Sequence, residues 1–314
     1  MNKTIAVLIP CYNEELTIAK VINDFQQELP QSDIYVYNNN STDKTANIAI
    51  KEGAILREVP KKGKGNVIRN MFLEIDADIY IMIDGDDTYP VSDVHKLIQT
   101  IKNGEADMCI GDRHSNGSYK EQNKRQLHNF GNKLVTKLIN SLYKEDLKDI
   151  MSGFRAFSKE FVKHFPIHSS GFEIETEMSM HALDKRFKII EIPIGYIDRI
   201  EGSVSKLNTY SDGLKILKTI FWLFKNYKPL AFFTSFSALF FLLSIIVGIP
   251  VIIEYFQTSL VDKIPSAILA VGLMIISIMS LFSGFLLDTI VRQHRENFEL
   301  SRLSKKYYKE TYEY

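Results

Sequence analysis

The stretch DIYIMIDGDDTYP, residues 78–90, carries an apolar run straight into three aspartates, Asp84, Asp86 and Asp87. Ile79, Tyr80, Ile81 and Met82 read as a strand covered on both faces, since no polar residue interrupts them. Outward from it the same pattern recurs: IAVLIP (5–10), IYVYNN (34–39), AILREV (54–59) and DMCIGD (107–112) are further strands. Between them residues 15–29, 43–52, 65–74 and 91–103 have helix-like composition. That alternation predicts an α/β fold with a mainly parallel, Rossmann-like sheet and helices on both faces. Residues 123–143 read as another helix, SSGFEIETEMSMHALDKR (169–186) carries one more, and KIIEIPIGYIDR (188–199) closes the body as a strand.

Ligands of such sheets bind beyond the carboxyl ends of the strands. PCYNEE (10–15), NNNSTD (38–43) and DGDDTYP (84–90) all fall at that rim. Carboxylates this close repel one another and need positive partners. Solvated turns or helix caps tolerate such clusters, and Asp87 reads as a cap for the next segment. Asp86 and Asp84 are instead the candidate ligands for Mg²⁺ or Mn²⁺, which take one or two carboxylates together with substrate phosphates. Asp86 is the direct ligand; Asp84 turns toward a ribose or a water on the ion.

The totals exclude several classes. The 314 residues hold 38 basic and 38 acidic side chains, and this balance lacks the basic excess of a general nucleic-acid binder. Cys11 and Cys109 sit in apolar stretches without metal-ligand spacing, so they read as buried reduced thiols in a cytosolic environment. The start, MNKTIAVLIP, runs into the first strand without a secretory leader. The seven histidines form no HExxH-like pattern and read as surface or core residues.

The carboxyl-terminal third differs. Pro229–Ile253 and Ile264–Leu287 contain no charged residue, and each exceeds the about 20 residues a helix needs to cross a bilayer core. Lys215, Lys218, Lys225 and Lys228 precede the first run; Arg292, Arg295, Arg302, Lys305, Lys306 and Lys309 follow the second. The positive-inside rule puts both flanks, and so both termini, in the cytoplasm and the connector EYFQTSLVDK (254–263) outside. In 212–228, DGLKILKTIFWLFKNYK, the lysines fall on one arc and Ile216, Leu217, Ile220, Leu223 and Phe224 on the other, as expected of a helix in the headgroup plane. The expected division is a catalytic domain over 1–209, an interfacial helix over 210–228, a membrane hairpin over 229–291 with spans at about 229–253 and 264–288, and a tail over 292–314.

Taken together, LIPCYNEE, NNNSTDKT, KKGKGNVIRN, DGDDTYP, DIMSGFRAFS and GSVSKLNT resemble the family 2 glycosyltransferases of the GT-A fold. The resemblance spans residues 4 to about 210. It is closest to the membrane-anchored polyprenyl-phosphate glycosyltransferases, which include dolichyl-phosphate mannose synthases and bactoprenol glucosyltransferases. It implies that Pro10, Tyr12 and Glu14 surround a nucleobase and ribose. Asn38 stands where the family more often has an aspartate that accepts from the base; its amide can accept or donate, so the base stays open. Lys64 of KKGKG is implied near the nucleotide, although the loop also reads as a plain turn. Asp84, Gly85 and Asp86 join the donor site. Arg113 and Arg125 are implied at the acceptor phosphate, and Arg199 and Lys206 over the donor diphosphate, where charge develops.

The reaction so implied is transfer of a sugar, from UDP-glucose or UDP-N-acetylglucosamine, to undecaprenyl phosphate with inversion. A phosphate monoester, with a second pKa of about 6, is already largely dianionic at pH 7. Asp149 of DIMSGFR is therefore expected to organise an arginine, a metal water or a sugar hydroxyl rather than to serve as an obligatory base. Of Glu173, Glu175 and Glu177, one is a candidate for sugar hydroxyls. The resemblance also implies a flippase and a downstream glycosyltransferase as partners in the cell membrane, and leaves room for a homo-oligomer. A processive polysaccharide synthase remains an alternative, although the only tryptophan, Trp222, lies outside a QxxRW motif. A non-catalytic nucleotide-sugar-binding scaffold is another.

Overall fold

The computed structural model describes residues 3–115, 117, 126–200, 218, 221–222 and 224–312. Arg125, Lys206 and most of the expected interfacial helix lie outside the described residues. The chain divides into two units, Met1–Ile216 and Leu217–Tyr314.

The first unit is built on strands β1 (Ile5–Cys11), β2 (Asp33–Asn38), β3 (Ile55–Glu58), β4 (Ile79–Met82), β5 (Met108–Asp112), β6 (Arg155–Ser158) and β7 (Ile189–Pro193). They form a seven-stranded sheet in the order β3-β2-β1-β4-β6-β5-β7. Every pairing is parallel except those of β6, which runs antiparallel between β4 and β5. The sequence reading missed β6. RAFS is short, and its buried Arg155 and terminal Ser158 break the apolar pattern that marked the other strands. Its consequence is large. Reversing one strand brings the segment that precedes it, Asp149–Phe154, to the rim where its parallel neighbours end.

Helices α1 (Ile18–Glu28), α2 (Thr45–Lys51), α3 (Lys64–Glu74), α4 (Val94–Lys102), α5 (Gln126–Tyr143), α6 (Lys159–His164) and α7 (Ile174–Asp184) complete the unit. Side chains alternate across a strand, so β1 and β4 feed two cores. Val7, Ile9, Ile79 and Ile81 pack with Ile18, Ile22 and Phe25 of α1 and Val94, Leu97 and Ile101 of α4. From β6, Phe157 stacks on Phe161 at 5.3 Å and meets Phe72 edge-on at 5.6 Å. Each such fully buried side chain contributes about 1.5–3 kcal/mol by leaving water.

The second unit contains α8 (Pro229–Thr258) and α9 (Ile264–Tyr312), both long and apolar enough to cross a membrane. Their facing surfaces carry small polar residues that satisfy one another. The Ser237 and Ser277 hydroxyls lie 3.0 Å apart, and Ser244 donates to the Ala270 carbonyl at 2.8 Å. Outward-facing Leu242, Ile246, Ile268 and Phe282 are exposed. Both helices overrun the expected spans. α8 continues to Thr258 and stops where Ser259 takes the left-handed conformation. α9 runs on to Tyr312 because nothing after Leu287 breaks a helix, and loss of apolar character ends a span without ending its helix.

Candidate active site

The rim loops clasp one another through their own polar groups. After β1, Asn13 adopts φ 55°, its amide N–H donates to Ser41 Oγ at 2.9 Å, and its side-chain oxygen accepts from Thr42 at 2.8 Å. Asp43 accepts from the N–H of Glu15 at 3.1 Å and from Thr45 at the start of α2. Pro10 ends in the sheet, Tyr12 is 38% exposed with Lys62 Nζ 5.9 Å from its ring centre, and Glu14 is buried. Asn38 is committed within the protein. Both Glu58 oxygens accept from its Nδ2, at 2.9 and 3.1 Å, while its Oδ1 takes the Ser41 N–H. Asn38 thus holds a carboxylate at the edge where the resemblance places the base.

The aspartates after β4 separate by partner. Lys64, at the start of α3, pairs with Asp84 and also with Glu175 of α7 at 2.5 Å. Burial would depress the Lys64 ammonium, but the two carboxylates outweigh it and hold it charged. Glu175, buried and close to Asp84, is pushed up despite the lysine. The loop before α3 reaches this position through its glycines. Gly63 has φ 120°, and a β-carbon on Gly63 or Gly65 would overlap the Ser170 or Ser169 carbonyl. KKGKG is therefore a packed turn rather than a plain one, and it delivers Lys64 to Asp84 and Glu175.

Asp86 is buried, pairs with Arg199 and accepts from Thr88 Oγ1 at 2.7 Å. Burial and the neighbouring Asp84 raise its carboxyl above the ordinary aspartate range, against the pull of Arg199 and Thr88. Gly85 leaves no room for a side chain, since a β-carbon would lie 2.8 Å from Cys11 Sγ, and its carbonyl accepts from Thr17 at 2.6 Å. Asp87 does not cap the next segment. It has φ 57° and binds Lys20 of α1 at 2.7 Å, while Pro90 precedes the short helix that follows.

On the other side of β6, Arg113 grips Asp149 through Nε at 2.6 Å and Nη2 at 2.7 Å, and its own N–H donates to the same carboxylate at 3.1 Å. Burial alone would raise Asp149, but Arg113 and His114 hold it below the usual carboxylate range. His114 Nε2 lies 3.8 Å from Asp149, which brings one histidine to the site that the sequence had left among the bystanders. Glu191 of β7 accepts the Asp149 N–H at 2.7 Å. Tyr89 joins the halves: its hydroxyl accepts from Gly153 N–H at 3.1 Å and meets Arg113 Nη1 at 3.5 Å. Gly153 presses on the donor side so closely that a β-carbon would overlap the Asp84 carboxylate.

The donor atoms here suit a hard cation. Asp84 and Asp86 offer oxygen only, and among the described residues no group of three or more His, Cys, Asp or Glu could enclose a metal. An ion would have to complete its shell with water and substrate oxygens, which is how Mg²⁺ and Mn²⁺ are held beside phosphates. Glu175, Glu58, Glu191 and Tyr89 were not singled out as partners of these charges. Two of them carried a signal: Glu175 by its place in a run of three acids at the start of a helix, and Tyr89 by its place in DGDDTYP.

A mainly parallel sheet with an acid pair, paired cations and a buried arginine–aspartate couple along one rim defines a GT-A transferase that uses a nucleotide sugar. The profile of the family described as glycosyl transferase family 2 matches residues 6–165, and the chain belongs to that family. Glycosyltransferase AglJ of Haloferax volcanii is 29% identical over 296 residues, spanning 94% of this chain and 96% of that protein. The dolichyl-phosphate hexose transferase of the same organism is 28% identical, over 69% of this chain and 92% of that one. Among solved structures, glucosyl-3-phosphoglycerate synthase of Mycobacterium tuberculosis, in complex with Mn²⁺, UDP-glucose and phosphoglyceric acid, superposes with a TM-score of 0.56. That likeness, at 21% identity over 71% of this chain and 80% of that one, is one of fold.

Proposed function

We propose that the protein transfers a hexose from a nucleoside-diphosphate sugar to a polyprenyl phosphate, with UDP-glucose or UDP-N-acetylglucosamine as donor and undecaprenyl phosphate as acceptor. The observation that carries this reading is the pairing of charges at one rim: Asp84 with Lys64, Asp86 with Arg199, and Asp149 with Arg113, in a chain that also carries two membrane-length helices. A lipid acceptor explains the helices, and the names of the Haloferax relative and of a Pyrococcus furiosus dolichol-phosphate mannosyltransferase support the class of acceptor.

In this reading Lys64 and Arg199, with Lys206, turn from the carboxylates toward the diphosphate. Arg113 and Arg125 hold the acceptor phosphate, and Asp149 fixes the direction in which Arg113 points. The phosphate is already ionised, so no side chain need take a proton from it. Its oxygen forms a bond to the anomeric carbon while the bond from that carbon to the diphosphate oxygen breaks. The electron pair leaves with the nucleoside diphosphate, and attack in line inverts the centre. Mg²⁺ or Mn²⁺, held by Asp86 and Asp84, would supply neutralising charge to the departing diphosphate. Pro10, Tyr12, Glu14, Asn38 and Gly85 complete the donor pocket.

The catalytic domain and both termini face the cytoplasm of a cell membrane, and a flippase and a second transferase use the product. Purified full-length protein, given labelled UDP-glucose or UDP-N-acetylglucosamine with undecaprenyl phosphate and Mn²⁺, is expected to form a chloroform-soluble sugar lipid. Donor binding without any such product across a nucleotide-sugar panel overturns the reading.

A further inference from the structure

Among the described residues Arg155 is the largest fully buried side chain, and no carboxylate is paired with it. Burial pushes its guanidinium down to about 10, still far above neutrality, so a full charge is held inside the fold. Such a charge is costly unless hydrogen bonds satisfy it. Its partners are specific. Nη2 donates to the Ile150 carbonyl at 2.6 Å, Nε to the Ser152 carbonyl at 2.8 Å, and Nη1 to Ser179 Oγ of α7 at 3.0 Å. The Ser179 hydroxyl in turn lies 3.0 Å from the Glu175 carbonyl, one turn back along the helix.

These partners join two groups of site residues. Ile150 and Ser152 belong to the segment that begins with Asp149, the partner of Arg113, and continues to Gly153, which presses on Asp84. Ser179 belongs to the helix whose Glu175 holds Lys64. We propose that Arg155 is a positioning residue, whose guanidinium ties the 149–153 segment to α7 and so sets the direction of the Arg113–Asp149 pair relative to the donor carboxylates. The inference rests on the reading of the reaction given above, because it assigns Arg155 an effect on that transfer. Arg155 lies in the sheet and touches no substrate. A planar fork suits two loop carbonyls and a hydroxyl at once, whereas a lysine, keeping the charge, reaches one carbonyl from a single point.

The test compares full-length wild type, Arg155→Lys, Asp149→Asn and the double variant, using UDP-glucose, Mn²⁺ and undecaprenyl phosphate. Arg155→Lys is expected to raise the acceptor KM or lower kcat by about tenfold in total, the loss of a charged hydrogen bond, while the Kd for UDP with Mn²⁺ stays within about twofold. Since Arg155 acts through Asp149, the double variant should transfer no more slowly than Asp149→Asn alone. Amide exchange should rise over 149–153 and remain unchanged over β1 and β4. Additive losses, or UDP binding and transfer falling together with thermal stability, mark a structural residue and overturn the proposal. Unchanged kinetics in a folded Arg155→Lys overturn it as well. If Arg155→Lys does not fold, Ser179→Ala carries the same test, with a smaller loss in the same direction expected and unchanged kinetics overturning it. A wild type that transfers to no lipid phosphate defeats the functional reading itself, which separates the two failures.

Discussion

Asp86 and Asp149 are both buried aspartates paired with arginine, yet their surroundings push them in opposite directions. Asp86 is raised by burial and by the neighbouring carboxylate of Asp84; Asp149, buried too, is lowered because Arg113 grips it at two nitrogens. Asp86→Asn is expected to cut transfer by about 10²–10³, as removal of a key electrostatic group does. Calorimetry of the same variant checks the cause. UDP with Mn²⁺ at 100 times its Kd should stabilise the wild type by about 2.7 kcal/mol and the variant far less. For Asp149 the sign is fixed by the lowered folded value. Its pairing contributes stability that is present above the unfolded aspartate value of about 3.9 and is lost as pH falls through the folded one. Breaking such a buried pair costs about 3–5 kcal/mol, so Asp149→Asn should melt well below wild type at neutral pH. Melting curves should then converge only as the pH is lowered below about 4.

At the scale of elements, six of the seven strands and the helices between them were legible because parallel strands carry apolar runs. β6 was not, since an antiparallel insertion needs only four residues and here begins with a buried arginine. The motifs of the rim could be read, and they put Asp84, Asp86 and Arg113 among the candidates. Their partners could not: Glu175 and Glu191 reach the site from elements distant in sequence, and one acid among many carries no mark of what it will face, while Tyr89 stood in the quoted motif with nothing to show that it would meet Arg113 and Gly153. The same limit hid Gly153. Its role appears only when β6 sets it against Asp84, where a β-carbon has no room. Gly153→Ala should therefore displace the Asp84 carboxylate and weaken UDP binding in the presence of Mn²⁺ by about tenfold or more, read by calorimetry. A binding constant equal to wild type would mean that the loop yields without moving Asp84.

At the scale of the whole molecule, the charge pattern around α8 and α9 makes a claim about sidedness that the fold alone does not test. Both native thiols, Cys11 and Cys109, are buried, and burial raises the thiol of each, so an introduced cysteine can be read against a quiet background. Val261→Cys in the connector should react with an impermeant maleimide on intact cells, and Ser304→Cys near the end of α9 only after permeabilisation. The reverse pattern would place the catalytic unit on the wrong side for a nucleotide sugar. The pairing of Asp84 with Lys64 and Asp86 with Arg199 gives each acid at the rim a cation of its own. An ion that used those carboxylates would have to compete with an ammonium and a guanidinium for them. A ligand that brought a cation for the acids and an anion for the bases would repay both exchanges at once, which a bare ion would not.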